Sequence, residues 1–114
     1  MTNNFKQGEI WYANLNPIQG SEQAGQRPVV IVSGNMLNTY LRTVIVMPLT
    51  SKIKNYKGNP LLTPNATNGL EKPSEILIFH IRSIAKERLE KRIGRISETE
   101  LNALKIGFDD IWRY

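Results

Sequence analysis

Cysteine is absent from the 114 residues. No disulfide framework and no thiolate metal site can therefore be built. Histidine occurs once, at His80, which is too few for an ordinary zinc ligand set. No metal and no cofactor is expected. No apolar run approaches the roughly 18 residues needed to cross a bilayer. Residues 1–7 are polar and lack the apolar core of a signal peptide. These absences point to a cytoplasmic protein with no membrane partner. Acid is also scarce: 10 Asp and Glu face 15 Lys and Arg, for a formal net charge of +5. The imbalance is local. Residues 82–95 hold six basic side chains (Arg82, Lys86, Arg88, Lys91, Arg92, Arg95) against Glu87 and Glu90, and residues 51–70 hold Lys52, Lys54 and Lys57 with no acid. Such patches suit a polyanion, either nucleic acid or an acidic protein segment. Solubility alone also asks for surface charge.

The length fits one domain spanning residues 1–114. Residues 8–15 read as a first strand, with Ile10, Trp11 and Tyr12 as β-formers. Residues 29–33 and 43–49 are continuous apolar runs, the pattern of strands covered on both faces. Ser33 or Asn35 is placed to cap a short helix through Met36, Leu37 and Asn38. Residues 52–68 are polar and read as a mobile excursion around a short edge strand at Leu61-Leu62-Thr63, because prolines flank it. Asn68-Gly69 is a turn signal. Residues 75–84 read as one further strand. Residues 90–96 read as a short basic strand, with Ile93 and Ile96 turned inward and Gly94 at a bend or bulge. Ser97-Glu98-Thr99-Glu100 is a capping box. Leu101, Leu104, Phe108 and Ile111 then follow at helical spacing. Trp112 and Tyr114 close that helix as core, as rim or as a dimer contact. The fold class is mainly β with a C-terminal helix, arranged as a small antiparallel barrel.

Residues 16–27 form a long connection between two strong strands, and long loops on a stiff sheet commonly carry function. This one bears a carboxylate, Glu22, and a guanidinium, Arg27. Arg27 precedes Pro28, which favours an extended backbone and sets it at the mouth of the next strand. Guanidinium presents a fork that matches phosphate oxygens. Thr50 and Ser51, at the end of the run 43–49, offer hydroxyl donors. Tyr56 lies among Lys52, Lys54 and Lys57, which suits a stacked base and its phosphates. The plainer alternatives are a solvated loop whose Glu and Arg merely pair, ordinary turn hydroxyls and an ordinary mobile loop.

The segments Gly8-Glu9-Ile10-Trp11, Asn16-Pro17 and Gly20-Ser21-Glu22-Gln23-Ala24-Gly25-Gln26-Arg27-Pro28-Val29-Val30-Ile31-Val32-Ser33 resemble the N-terminal signature of the MazF/PemK toxin endoribonucleases. The resemblance continues through Ile81 to Arg88 and the terminal helix, and is weakest across residues 52–73. It implies an SH3-like barrel of the kind shared with the CcdB toxins. It also implies that Arg27 and Thr50 are the catalytic pair, with Glu22 added as in some members. Ser21 and Gln23 would contact RNA, together with Ser51, Lys52, Lys54, Tyr56 and Arg82. Leu77 and Phe79 stand where the PemK-like branch uses Arg and Asp, so the chain is closer to the MazF-like branch. His80 replaces the usual Gln; it is either a proton carrier or a strand residue bonded to backbone. Arg82 would support the dimer or the site.

The reaction so implied is metal-independent, sequence-specific cleavage of single-stranded RNA, chiefly mRNA. It would leave a 2′,3′-cyclic phosphate and a 5′-hydroxyl. RNA carries its own nucleophile, so the protein must supply acid–base help and charge stabilisation. The expected partners are a second copy of the chain and a MazE-like antitoxin. A non-catalytic gyrase poison of the CcdB type and a plain RNA-binding barrel are the alternatives.

Overall fold

The computed structural model describes residues 4–15 and 25–113. Three strands form the middle of the sheet: β1 (Glu9–Asn14), β2 (Gln26–Ile31) and β3 (Thr43–Thr50). β2 lies antiparallel between β1 and β3, and Val29, Val30 and Ile31 are wholly buried. The remaining strands are β4 (Leu61–Leu62), β5 (Ser74–Ile76), β6 (Arg82–Ala85) and β7 (Leu89–Arg95). The order across the sheet is β4-β5-β3-β2-β1-β7, with β6 paired to the other end of β3. The result is an antiparallel half-barrel closed by a terminal helix, as the composition and turn pattern imply.

Alternation along the central strands fills two cores. Trp11, Val29, Ile31, Val44 and Val46 project into the first, with Phe5, Ile84 and Leu89. Ile10, Val30, Met47 and Leu49 project into the second, with Leu62, Ile76, Ile78 and Leu104. Cross-strand pairing keeps the sets apart, since Trp11 faces Val29 while Ile10 faces Val30. Runs that are apolar at every position are what a two-sided sheet requires.

Residues 75–84 are not one strand. β3 recedes three residues from Leu49 to Val46, while its partners advance six, from Ile76 to Arg82. The surplus three residues form a 3-10 turn, Ile78–His80. This turn buries Ile78 and leaves Phe79 exposed. His80 therefore belongs to a turn and not to a strand. Helix α1 (Asn35–Tyr40) begins at Gly34 with no side-chain cap. Ser33 is instead hydrogen-bonded to the buried Asn38 side chain, and Asn35 accepts the Gln7 amide.

On β7 the register skips Ile93, because Ile10 faces Gly94 but Trp11 faces Arg92. The bulge lets the turn 65–69 press onto the strand. Asn68 is buried there; its carbonyl accepts the Asn65 and Leu70 amides and its amide donates to Thr63. Helix α2 (Glu98–Ile111) starts in the complete Ser97/Glu100 capping box. Leu104 is its deepest residue, with Leu101 and Phe108 half-buried beside it. Gly107 also faces inward, where a Cβ would meet the Gly58 carbonyl at 2.4 Å. Ile111 and Trp112 are exposed, so the apolar face ends at Phe108. Tyr114 lies outside the described residues.

The polar stretch after β3 is tied down, contrary to the mobile excursion its composition suggests. Glu75 has no exposed surface. One carboxylate oxygen accepts the amides of Lys54 and Asn55 at 2.8 and 3.1 Å. The other accepts the Tyr56 amide and the Asn59 side chain, both at 2.9 Å. Burial pushes the Glu75 carboxyl up, but the bonds from Asn59 and from the Lys54, Tyr56 and Asn55 amides outweigh it and hold it below its ordinary range.

Gly94→Ala should destabilise the fold by about 3 kcal/mol, because the new Cβ would lie 2.4 Å from the Thr67 carbonyl oxygen and 2.6 Å from the Asn68 carbonyl carbon. Urea midpoints measure this, and an unchanged midpoint would show that the turn does not bear on β7. A second expectation concerns acid. With the folded-state value lowered, the stabilisation from Glu75 is complete above the unfolded carboxyl's range and is lost as pH falls through the folded value. Unfolding of wild type and Glu75→Gln across an acid series should therefore converge at low pH. A gap that stays constant would remove the charge from the explanation.

Candidate active site

The register of β2 and β3 determines what meets at the open end of the sheet. Val29 faces Pro48, Val30 faces Met47 and Ile31 faces Val46. The pairing stops at Val29 and Pro48, and two residues beyond it Arg27 on β2 and Thr50 on β3 lie at the same end of the two strands. Both then fall on the stripe of the first core, just past its last apolar residues. Pro28 has no amide to donate, so the ladder between the two strands thins there. Thr50 is 7% exposed, and its Oγ1 accepts the Lys52 amide at 3.1 Å. Its hydroxyl hydrogen is thereby left to point elsewhere, since the oxygen is already the acceptor in that bond.

Arg27 and Ser51 line one cleft of about 620 Å³, with Tyr12, Lys72, Lys91 and Arg92 around it. Among the described residues, four cationic side chains thus surround this space, against a single carboxylate, Glu71. Arg92 is oriented from behind: its Nε donates to Glu9 at 3.0 Å, and Glu9 also accepts the Lys6 amide and the Trp11 indole. A low-dielectric wall bearing cations of one sign concentrates an anionic ligand. Of this cleft, the sequence pointed to Arg27 and Ser51 directly and to Lys91 and Arg92 only as members of a charge run. Tyr12 and Lys72 carried no signal, because each is an isolated polar position until the sheet curls.

The other predicted residues are distributed differently. Glu22, Ser21 and Gln23 lie outside the described residues. Lys52, Lys54 and Tyr56 are exposed and do not line the Arg27 cleft. Lys54 and Tyr56 belong to the turn held by Glu75, and Lys57 lines a second cleft of about 500 Å³ with Asn59, Ile78 and Phe79. The Tyr56 and Phe79 rings meet edge-on, with centroids 6.4 Å apart. Arg82 is on β6 opposite Val46, and its buried Nη1 has no hydrogen-bond partner among the described residues. The three-residue β5 joins the two regions: Ser74 lines the cationic cleft and Glu75 fixes the turn. Among the described residues, no helix is long and apolar enough to cross a membrane.

Known proteins resemble this chain in sequence and in fold. The family model for the PemK-like, MazF-like toxin of type II toxin–antitoxin systems matches residues 6–111. Endoribonuclease MazF9 of Mycobacterium tuberculosis is 40% identical over 117 residues, covering 95% of this chain and 98% of that protein. The crystal structure of MazF from Deinococcus radiodurans superposes with a TM-score of 0.84 at 22% identity, over 96% of this chain and 97% of that one. An endoribonuclease from a mycobacterial species, solved in complex with its cognate antitoxin, superposes at 0.74 and 18% identity, over 96% and 93% of the two chains. The chain therefore belongs to the PemK-like, MazF-like family of type II toxin–antitoxin toxins.

Proposed function

We propose that residues 1–114 act as one domain, the endoribonuclease of a toxin–antitoxin pair, and that it cuts single-stranded RNA without a metal ion. The observation that supports this is a cleft lined by Arg27 and three further cationic residues at the end of β2, the same end of the paired strands at which Thr50 closes β3. Identity to a named endoribonuclease over nearly the whole chain supports it.

In the proposed reaction the 2′-hydroxyl attacks the adjacent phosphorus and the bond to the 5′-oxygen breaks. Glu22 takes the 2′-proton. Arg27 stabilises the added negative charge on the phosphoryl oxygens, and the leaving 5′-oxygen takes a proton from solvent or from a donor in the cleft. Thr50, whose oxygen already accepts the Lys52 amide, donates its hydroxyl to a phosphoryl oxygen. The products are a 2′,3′-cyclic phosphate and a 5′-hydroxyl. Ser21, Gln23, Ser51 and the lysines of the 52–57 turn hold the strand, and Arg82 supports the site through the dimer. The cytoplasm supplies the mRNA substrate.

The chain would act as a homodimer, which provides cover for the exposed Trp112. A MazE-like antitoxin with an acidic, partly disordered tail suits the cationic cleft, since ordering on binding lets a short segment cover a wide surface. The fold relative solved with its antitoxin makes this partner class a natural one.

Purified protein incubated with a long mixed-sequence RNA in EDTA should give a few discrete cuts, mapped by primer extension. Arg27→Ala should lower the rate by roughly 10²–10³-fold, the scale of one lost charge-stabilising donor. Thr50→Val should lower it less. RNA left intact by a verified folded dimer would sink the catalytic reading, and DNA supercoiling would then be assayed with gyrase.

A further inference from the structure

Glu75 had no role in the sequence reading, yet it is a fully buried carboxylate with four hydrogen-bond donors aimed at it. Three of those donors are consecutive main-chain amides. Asn55, between the other two, takes φ +56°, a left-handed conformation that side-chain-bearing residues adopt at a cost. Successive amides turned onto one point form an anion-binding concavity, the arrangement that elsewhere seizes a phosphate. Here the anion comes from the protein itself. The three amides are therefore not open to an RNA phosphate, which leaves the turn's side chains and carbonyls to meet RNA.

Those side chains are suited to a base. Tyr56 is 51% exposed and Phe79 is 60% exposed, and the two rings make one edge-to-face corner. Lys57 and Phe79 line the same cleft, and no acid occurs between residues 51 and 70. One carboxylate, Asp110, stands on the opposite wall. Exposed aromatics beside lysines are the chemistry by which single-stranded nucleic acid is held: the base stacks and its phosphates meet the cations. Asn59 ties the corner together, because its side chain donates to Glu75 and accepts the Ile78 amide, one residue before Phe79.

We propose that Glu75 is a positioning residue for RNA selection: its carboxylate fixes the 54–56 turn so that Tyr56 and Phe79 present one aromatic surface, flanked by lysines, on which a base next to the scissile phosphate stacks. This rests on the ribonuclease reading and adds to it a second, non-catalytic subsite. It also separates two possible roles for Glu75. β5 pairs Glu75 with Thr50, so a residue that merely supported Thr50 would act on the chemical step. A residue that holds the turn acts on binding and on choice of sequence.

The test uses the full chain and a short single-stranded RNA taken from a mapped cleavage site, with one-base variants of it. Glu75→Gln keeps the size but loses the charge, and turns one acceptor into a donor. It should raise KM about tenfold, the scale of one lost stacked base, with kcat nearly unchanged and with weaker discrimination among the variants. Tyr56→Ala and Phe79→Ala should do the same. Hydrogen exchange at the amides of residues 54–56 should accelerate in Glu75→Gln but not in Phe79→Ala. A fall in kcat at constant KM would assign Glu75 to the catalytic pair and overturn the proposal. Faster exchange with unchanged KM and selectivity would overturn it too. If Glu75→Gln fails to fold, Asn59→Ala, which removes one of the four donors, is read in its place. If wild type cuts no RNA, the ribonuclease reading fails by itself. Binding of the same oligonucleotide, carrying 2-aminopurine to report stacking, then decides the subsite separately.

Discussion

Every position of this fold depends on a sheet that is covered on both faces. Alternate residues of β1, β2 and β3 feed two different cores, so a slip of one residue would exchange their contents. Trp11 and Ile10 are not interchangeable in volume, nor are Val46 and Met47, and close-packed interiors do not absorb such exchanges. The register is thus fixed by packing over the middle of the strands. The ends inherit it: Arg27 and Thr50 lie at the same end of β2 and β3 because Val29, Ile31 and Val46 are locked behind them.

Two carboxylates hold the surroundings of that end, and both are buried. Glu9 gathers the Lys6 amide, the Trp11 indole and the Arg92 guanidinium behind the cationic cleft. Glu75 gathers three amides and Asn59 beneath the aromatic corner. A buried charge is tolerated only when its lone pairs are filled, and each of these groups meets that condition with main-chain donors as well as side chains. The arrangement keeps the surface cationic. These two acids face inward, where they organise loops, and the lysines and arginines around the cleft are left for an anionic ligand.

The two glycine contacts serve the same end. Gly94 admits the turn 65–69 onto β7, which brings Lys72 and Ser74 to the cleft that also holds Lys91. Gly107 admits the Gly58 loop onto α2, which brings Lys57 and Phe79 together. Each of the two clefts therefore depends on glycine where a Cβ would collide with main-chain atoms, at Gly94 and Gly69 for the cationic cleft and at Gly107 for the other.

The amino-acid sequence by itself determined the strand runs at 29–33 and 43–49, the Asn68-Gly69 turn, the capped terminal helix and the long signature around Arg27. These are local: hydrophobic period, turn chemistry and a capping box act within a few residues. The sequence also carried Thr50 and Ser51, since they sit at a visible strand end. Tertiary structure alone decided the rest. Residues 75–84 read as one run because a strand looks the same whether or not it changes its register on the partner; only the pairing with β3 reveals the looped-out Ile78–His80. Ile111 read as buried because helical spacing says which face is apolar but not where the sheet beneath it ends. Glu75 read as an unremarked acid in a strand, because its partners lie about twenty positions away. Whether an acid is solvated or closed over by three amides is a property of what the chain folds against it, which no local pattern records.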